Sequence, residues 1–94
     1  MSLDFEKQGG LIPAVIQDAT TRRVLMVGYM NEEALKITRD RLLVTFFSRS
    51  KGKLWTKGET SGNYLQVREI LEDCDHDTLL IKAIPTGPVC HTGS

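Results

Sequence analysis

The sequence is short of cysteine, of net charge and of long apolar runs. Only two cysteines, Cys74 and Cys90, occur in 94 residues. Secreted domains of this size are usually stapled by several paired cysteines behind an apolar leader. The opening "MSLDFEKQGG" has no apolar stretch of that kind. The expectation is a cytoplasmic protein with reduced thiols. Lys plus Arg number 12 and Asp plus Glu number 12, so the formal net charge is zero. Net charge therefore argues for neither a nucleic-acid nor an acidic-surface partner, and no nucleic acid is expected. No run is long enough to cross a bilayer, so no membrane association is expected. Proline and glycine number 3 and 8, and no repeat or low-complexity segment is present.

What is there reads as one small α+β domain, 1–94. "LIPAVIQ" (11–17) is a short apolar run, with Pro13 suited to an edge or a bulge. "RVLMVGYM" (23–30) reads as a buried strand. Asn31 then offers an N-cap, and Glu32 and Glu33 favour the positive end of the helix "EEALKITRD". "LVTFFS" (43–48) and "LWTK" (54–57) are strands about a turn with Gly52 at its tip. From Tyr64 to Leu71 the alternation is imperfect, with Leu65, Val67, Glu69 and Leu71 assigned to one face. "TLLIKAI" (78–84) is the last strand. The total is about six strands and one main helix, joined by hairpin-type connections. A chain so small and strand-rich has sheet edges to cover, and dimerisation is one way to cover them.

Charge is unevenly distributed. Arg49, Lys51, Lys53 and Lys57 crowd one hairpin, followed by "KGETSG" with Thr60 and Ser61. Lysine charge, glycine-freed backbone and hydroxyls are anion-binding material, although no Walker A pattern is present. A solvated hairpin has the same composition. Trp55 suits stacking on a base or ribose, and equally suits the core.

Acids gather farther on. In "DCDHD", Asp73, Asp75 and Asp77 alternate with Cys74 and His76. Carboxylates at this spacing suit a hard divalent cation. An EF-hand is excluded, because Thr78 and Ile84 stand where glycine and glutamate are required. A solvated acidic turn is the plain alternative. Cys90 follows Cys74 by 90 − 74 = 16 positions, with His91 beside it. No C-x₂₋₄-C knuckle exists, so a structural zinc finger fits poorly. Neither cysteine lies in a core-like stretch, which favours metal ligation. An incomplete ligand set leaves a coordination position for water, as a catalytic zinc requires.

The strings "VLMVGYMNEEAL" (24–35), "VTFFSRSKGKLWTKGETSGN" (44–63), "DCDHDTLLIKA" (73–83) and "GPVCHTG" (87–93) resemble phosphoribosyl-AMP cyclohydrolase of histidine biosynthesis. The resemblance implies an intertwined, strand-rich α+β homodimer with active sites at the subunit interface. It implies hydrolytic opening of the N1–C6 bond of the adenine ring of phosphoribosyl-AMP. Cys74 and Cys90 match two of three zinc cysteines, Cys74 coming from the opposite subunit. Asp73, Asp75 and Asp77 match magnesium ligands, and His91 matches a proton-transfer histidine. Arg49, Lys51, Lys53, Trp55, Lys57, Thr60 and Ser61 become candidates for holding the substrate and its phosphates.

In many relatives this domain precedes a phosphoribosyl-ATP pyrophosphatase half. The third zinc cysteine is expected a few residues past "CHTG", so the domain reads as C-terminally incomplete. A non-catalytic, metal-stabilised dimer module is the alternative for a chain of this extent. A zinc nucleotide deaminase would show H-x-E with P-C-x-x-C, and neither occurs. Relatives often carry glycine in the turn after the helix, where this chain has Arg41-Leu42-Leu43. Such a change would let that turn close differently.

Overall fold

The computed structural model describes residues 10–74 and 77–86. Six strands and one helix form in the order β1 (Ile12–Asp18), β2 (Val24–Met30), α1 (Glu32–Arg41), β3 (Thr45–Ser48), β4 (Lys53–Thr56), β5 (Leu65–Glu72) and β6 (Leu79–Pro85). The α+β class is as the sequence implies. Four strands make one sheet in the order β2-β1-β6-β5, and β3 and β4 make a separate two-stranded ribbon.

The pairs β1–β2, β3–β4 and β5–β6 are antiparallel, as hairpin-type connections require. The remaining pair departs from that pattern. β1 runs parallel to β6, with Ala14 opposite Leu79 and Asp18 opposite Ala83. First and last strands thus meet at the centre of the sheet. Pro13 precedes the first residue paired to β6, so the missing N–H falls outside that ladder.

Register explains the burial pattern. Ile12, Ala14 and Ile16 face inward from β1, and Leu79, Ile81 and Ala83 from β6, all fully buried. The irregular alternation in β5 has a physical cause. Its register against β6 shifts between Val67 and Glu69, leaving Arg68 as an extra residue. Leu65 and Val67 face the core before the shift. After it Ile70, opposite Ile81, takes the inward place that strict alternation assigns to Glu69. Glu69 instead lies opposite Lys82 and pairs with its ammonium at 3.8 Å.

β2 is not a fully buried strand. It lies at the sheet edge, with Val24 61% and Val27 57% exposed. Its inward residues are those opposite the β1 core positions: Met30, Gly28 and Met26.

Helix α1 starts where the sequence puts it. The Asn31 side chain accepts from the Ala34 N–H at 2.8 Å, and Glu32 and Glu33 occupy the first turn. Ala34, Leu35 and Thr38 are its buried residues. The Thr38 hydroxyl accepts from the Thr45 N–H at 3.0 Å and lies 2.8 Å from the Ala34 carbonyl, tying helix to ribbon. The helix closes on Leu42 at φ 59°, ψ 30°, the left-handed conformation that glycine usually supplies. A leucine there carries roughly 1–2 kcal/mol of strain. Tertiary bonds hold it: the Leu42 N–H donates to Thr38, and the Leu42 carbonyl accepts from Val67 at 2.8 Å.

The ribbon docks on the sheet through one close contact. A Cβ added at Gly28 would lie 2.6 Å from the Phe46 ring. Phe46 is itself 1% exposed and packs on Trp55 with ring centroids 5.2 Å apart. Gly28→Ala should therefore destabilise the fold by about 1–3 kcal/mol, the usual cost of overpacking. Urea unfolding should show a lower midpoint at unchanged slope. An unaltered midpoint would mean that the ring yields freely.

Candidate functional site

The β3–β4 ribbon and the loop after it build a cavity. Gly52, at φ 63°, forms the ribbon turn, and its N–H donates to the Ser48 carbonyl at 2.8 Å. Beyond β4 the chain folds back sharply. The Lys57 N–H reaches the Val44 carbonyl, and the Glu59 N–H reaches Thr56, both at 3.0 Å. Gly58 stands at φ 97°, where a Cβ would meet the Asn63 carbonyl carbon at 2.5 Å. Positive φ and close backbone approach together demand glycine there. The Gly62 N–H closes the loop on the Gly58 carbonyl at 2.6 Å, and Ser61 Oγ accepts from the Asn63 N–H at 3.2 Å.

The resulting cavity is about 630 Å³ and is lined by Ser48, Lys51, Lys53, Trp55, Thr56, Lys57, Gly58, Glu59, Thr60 and Ser61. Six of the seven residues expected to hold substrate are gathered here. Three are lysines, and none forms an ion pair among the described residues. The backbone N–H groups of Thr60 and Ser61 have no protein acceptor among the described residues. Unpaired ammonium groups, loop N–H groups and hydroxyls together favour an anion. Trp55 supplies an apolar wall.

Arg49, the seventh, lies elsewhere. Its guanidinium sits 4.3 Å from the centroid of the Tyr29 ring, a cation–π contact between ribbon and sheet edge. The sequence reading missed Ser48, Thr56 and Glu59. Glu59 lies inside the singled-out "KGETSG", but an acid has no obvious place in an anion loop. Thr56 follows Trp55 directly, and nothing in composition marks it.

The acidic segment joins β5 to β6. Asp73 Oδ1 accepts from the Asp77 N–H at 3.0 Å and the Thr78 N–H at 3.3 Å. The Asp73 N–H donates to the Thr78 carbonyl at 3.1 Å, so this residue organises the turn itself. Asp77 Oδ1 accepts from the Thr78 hydroxyl at 3.4 Å. Cys74 is exposed with a free thiol. Asp75, Cys90 and His91 lie outside the described residues, as does His76. Among the described residues no three His, Cys, Asp or Glu side chains converge. The donor chemistry nevertheless fits two kinds of ion: carboxylate oxygens a hard cation, and an accessible thiol a zinc. No described residue of 73–78 lines the lysine cavity.

Fold and cavity define a small α+β domain with a lysine-lined cavity and a separate acidic turn that carries a thiol. No helix among the described residues is long and apolar enough to cross a membrane. The family description Phosphoribosyl-AMP cyclohydrolase matches residues 26–94, and the chain belongs to that family. It is similar to "Histidine biosynthesis bifunctional protein HisIE" of Bacteroides thetaiotaomicron, at 63% identity over the whole chain and 46% of the relative. The protein of the same name from Vibrio cholerae is 60% identical over 98% of the chain and 44% of its own length. That from Xanthomonas campestris pv. campestris is 62% identical over 98% and 45%. The chain thus spans somewhat under half the length of these relatives.

If the cavity holds a phosphate, Lys57→Ala should weaken binding of inorganic phosphate by roughly 10- to 150-fold, since a charge-assisted hydrogen bond contributes about 1.5–3 kcal/mol. Amide shift titration reads this directly. Wild-type affinity in the variant, with the fold intact, would remove Lys57 from the cradle.

Proposed function

We propose that this chain is the cyclohydrolase domain of histidine biosynthesis, opening the adenine ring of phosphoribosyl-AMP at the N1–C6 bond. The single observation that carries the reading is the cavity in which Lys51, Lys53, Lys57, Thr60 and Ser61 surround Trp55. It suits a phosphorylated ligand with a planar or sugar part.

In the substrate, a phosphoribosyl group on ring N1 makes C6 electron-poor. Water adds to C6, the N1–C6 bond breaks, and a proton passes to the departing ring nitrogen. Zinc held by Cys74 and Cys90 would supply an activated water, while magnesium at Asp73, Asp75 and Asp77 would supply positive charge against phosphate. The lysines and loop N–H groups fix a phosphate, so the base is presented in one orientation. His91 is assigned the proton transfer, the role an imidazole ordinarily fills near neutral pH. Arg49 would reach a phosphate only by leaving Tyr29.

We assign the working form to a homodimer in the cytoplasm. Two observations support this. The outward face of the sheet carries the apolar side chains Val15, Val27, Tyr29, Leu71, Leu80 and Ile84, of which Val27 and Tyr29 are exposed and the others half-buried. The lysine cavity and the Cys74 turn also share no described residue within one chain, and a second subunit can bring them together.

Cys74→Ser should abolish both bound zinc and turnover of phosphoribosyl-AMP. Full activity at normal zinc content would refute the metal assignment. Mixing Cys74→Ser with Cys90→Ser protein under subunit exchange should restore activity to a minority of sites. No recovery after demonstrated exchange would place the site within a single chain.

A further inference from the structure

We infer that Arg41 and Arg68 form a second oxyanion site, which takes the phosphate or carboxylate group of a small organic ligand with an apolar body. The site lies in a groove between the end of α1 and the bulge of β5, and it shares no residue with the lysine cavity.

Backbone bonds fix the two walls of this groove. Leu43 pairs antiparallel with Gln66, the Val44 N–H donates to the Leu65 carbonyl at 3.0 Å, and the Val67 N–H donates to the Leu42 carbonyl at 2.8 Å. Counting outward from that bridge, Arg41 and Arg68 fall at the same end. Both line one cavity of about 260 Å³, together with Leu42, Leu43, Gln66 and Val67. Two irregularities of the backbone meet there. Arg68 is the extra residue of the β5 bulge, a device that re-aims a side chain. Leu42 holds its left-handed conformation with 54% of its surface exposed. Such strain persists where the surroundings over-determine it, and it gathers at ligand sites.

Charge carries the argument further. Like charges set opposite one another across antiparallel backbone repel. Arg41 and Arg68 are both exposed, and neither forms an ion pair or a side-chain hydrogen bond among the described residues. Glu69, the acid next to Arg68, pairs instead with Lys82 at 3.8 Å. The helix dipole accounts for one of the two arginines, because the last turn of α1 favours a cation. That helix end carries only about half a negative charge, so it neither calls for a second guanidinium from another strand nor neutralises the pair. Two guanidinium forks match the oxygens of a phosphate or carboxylate bidentately. The Gln66 amide adds a neutral donor. Leu42, Leu43 and Val67 give apolar surface beside the charges, so an organic anion gains over a bare one.

The test titrates inorganic phosphate, phenyl phosphate and benzoate into the intact chain and follows backbone amide shifts. Saturable shifts should appear at Leu43, Gln66 and Arg68, and the order of phenyl phosphate and benzoate identifies the preferred oxyanion. Phenyl phosphate should bind there roughly five- to tenfold more tightly than inorganic phosphate, from the apolar surface its ring covers. Arg68→Ala should weaken phenyl phosphate at this groove by roughly 10- to 150-fold, the effect of losing a charge-assisted bond. Arg68→Lys should recover only part of that loss, because an ammonium lacks the fork. Lys57→Ala should leave the shifts at Leu43 and Gln66 unchanged, which separates this groove from the lysine cavity. Phenyl phosphate should also raise the melting temperature of wild type by more than that of Arg68→Ala. Shifts confined to Thr60 and Ser61 would overturn the site. So would shifts at Leu43 and Gln66 that fail to saturate, that survive Arg68→Ala or that vanish in Lys57→Ala. Equal stabilisation of wild type and Arg68→Ala by phenyl phosphate would overturn it as well.

Discussion

The contact of Gly28 with the Phe46 ring sets the geometry of this domain. Here the four-stranded sheet and the β3–β4 ribbon approach so closely that a Cβ at Gly28 would lie 2.6 Å from the ring. A glycine on the inward face of β2 lets an aromatic ring lie against bare backbone. Phe46 then supports Trp55 across the ribbon, and Trp55 is a wall of the lysine cavity. Core packing and ligand cavity are therefore one continuous stack: sheet backbone, buried ring, partly buried ring, open space. Interiors packed at crystal-like density transmit displacement rather than absorb it. The ribbon consequently holds its lysines at a fixed height above the sheet.

Polar groups reinforce the same joint. Thr38 binds both its own helix and the backbone of Thr45, and Thr45 continues the chain of hydroxyls to Thr56 at the cavity. Buried hydroxyls are expensive unless paired. Here each one is paired, and no buried side-chain polar atom among the described residues lacks a partner. Burying threonines instead of aliphatic residues gives the joint direction as well as cohesion. The loop after β4 completes the arrangement, because only glycine at position 58 permits its return strand to pass so near.

Much of this was legible residue by residue. The Asn31 cap with Glu32 and Glu33 marked the helix start, and Gly52 marked the ribbon turn. The basic hairpin and "KGETSG" indicated an anion cradle, and the structure gathers Lys51, Lys53, Trp55, Lys57, Thr60 and Ser61 around one cavity. Arg49 illustrates the limit of composition: it belongs to the same basic run, but the turn directs it onto Tyr29. The β5 strand illustrates the limit of periodicity. One extra residue at Arg68 reverses the faces, which no alternation rule can place without the partner strand. The metal candidates remain as the sequence presents them: Asp73 has a turn-forming role in addition, and Asp75, Cys90 and His91 lie outside the described residues.

Local chemistry by itself determined the elements and their ends, because caps, turn glycines and apolar spacing act over a few residues. Tertiary structure decided what local chemistry cannot encode. It paired β1 in parallel with β6 across almost the whole chain, placed β2 at an edge, and held Leu42 in a glycine-like conformation. It also brought Glu59 and Thr56 to the same cavity as the lysines. The physical reason is one of range. Propensity is a property of neighbours in sequence, whereas register and edge position depend on whichever distant group packing delivers.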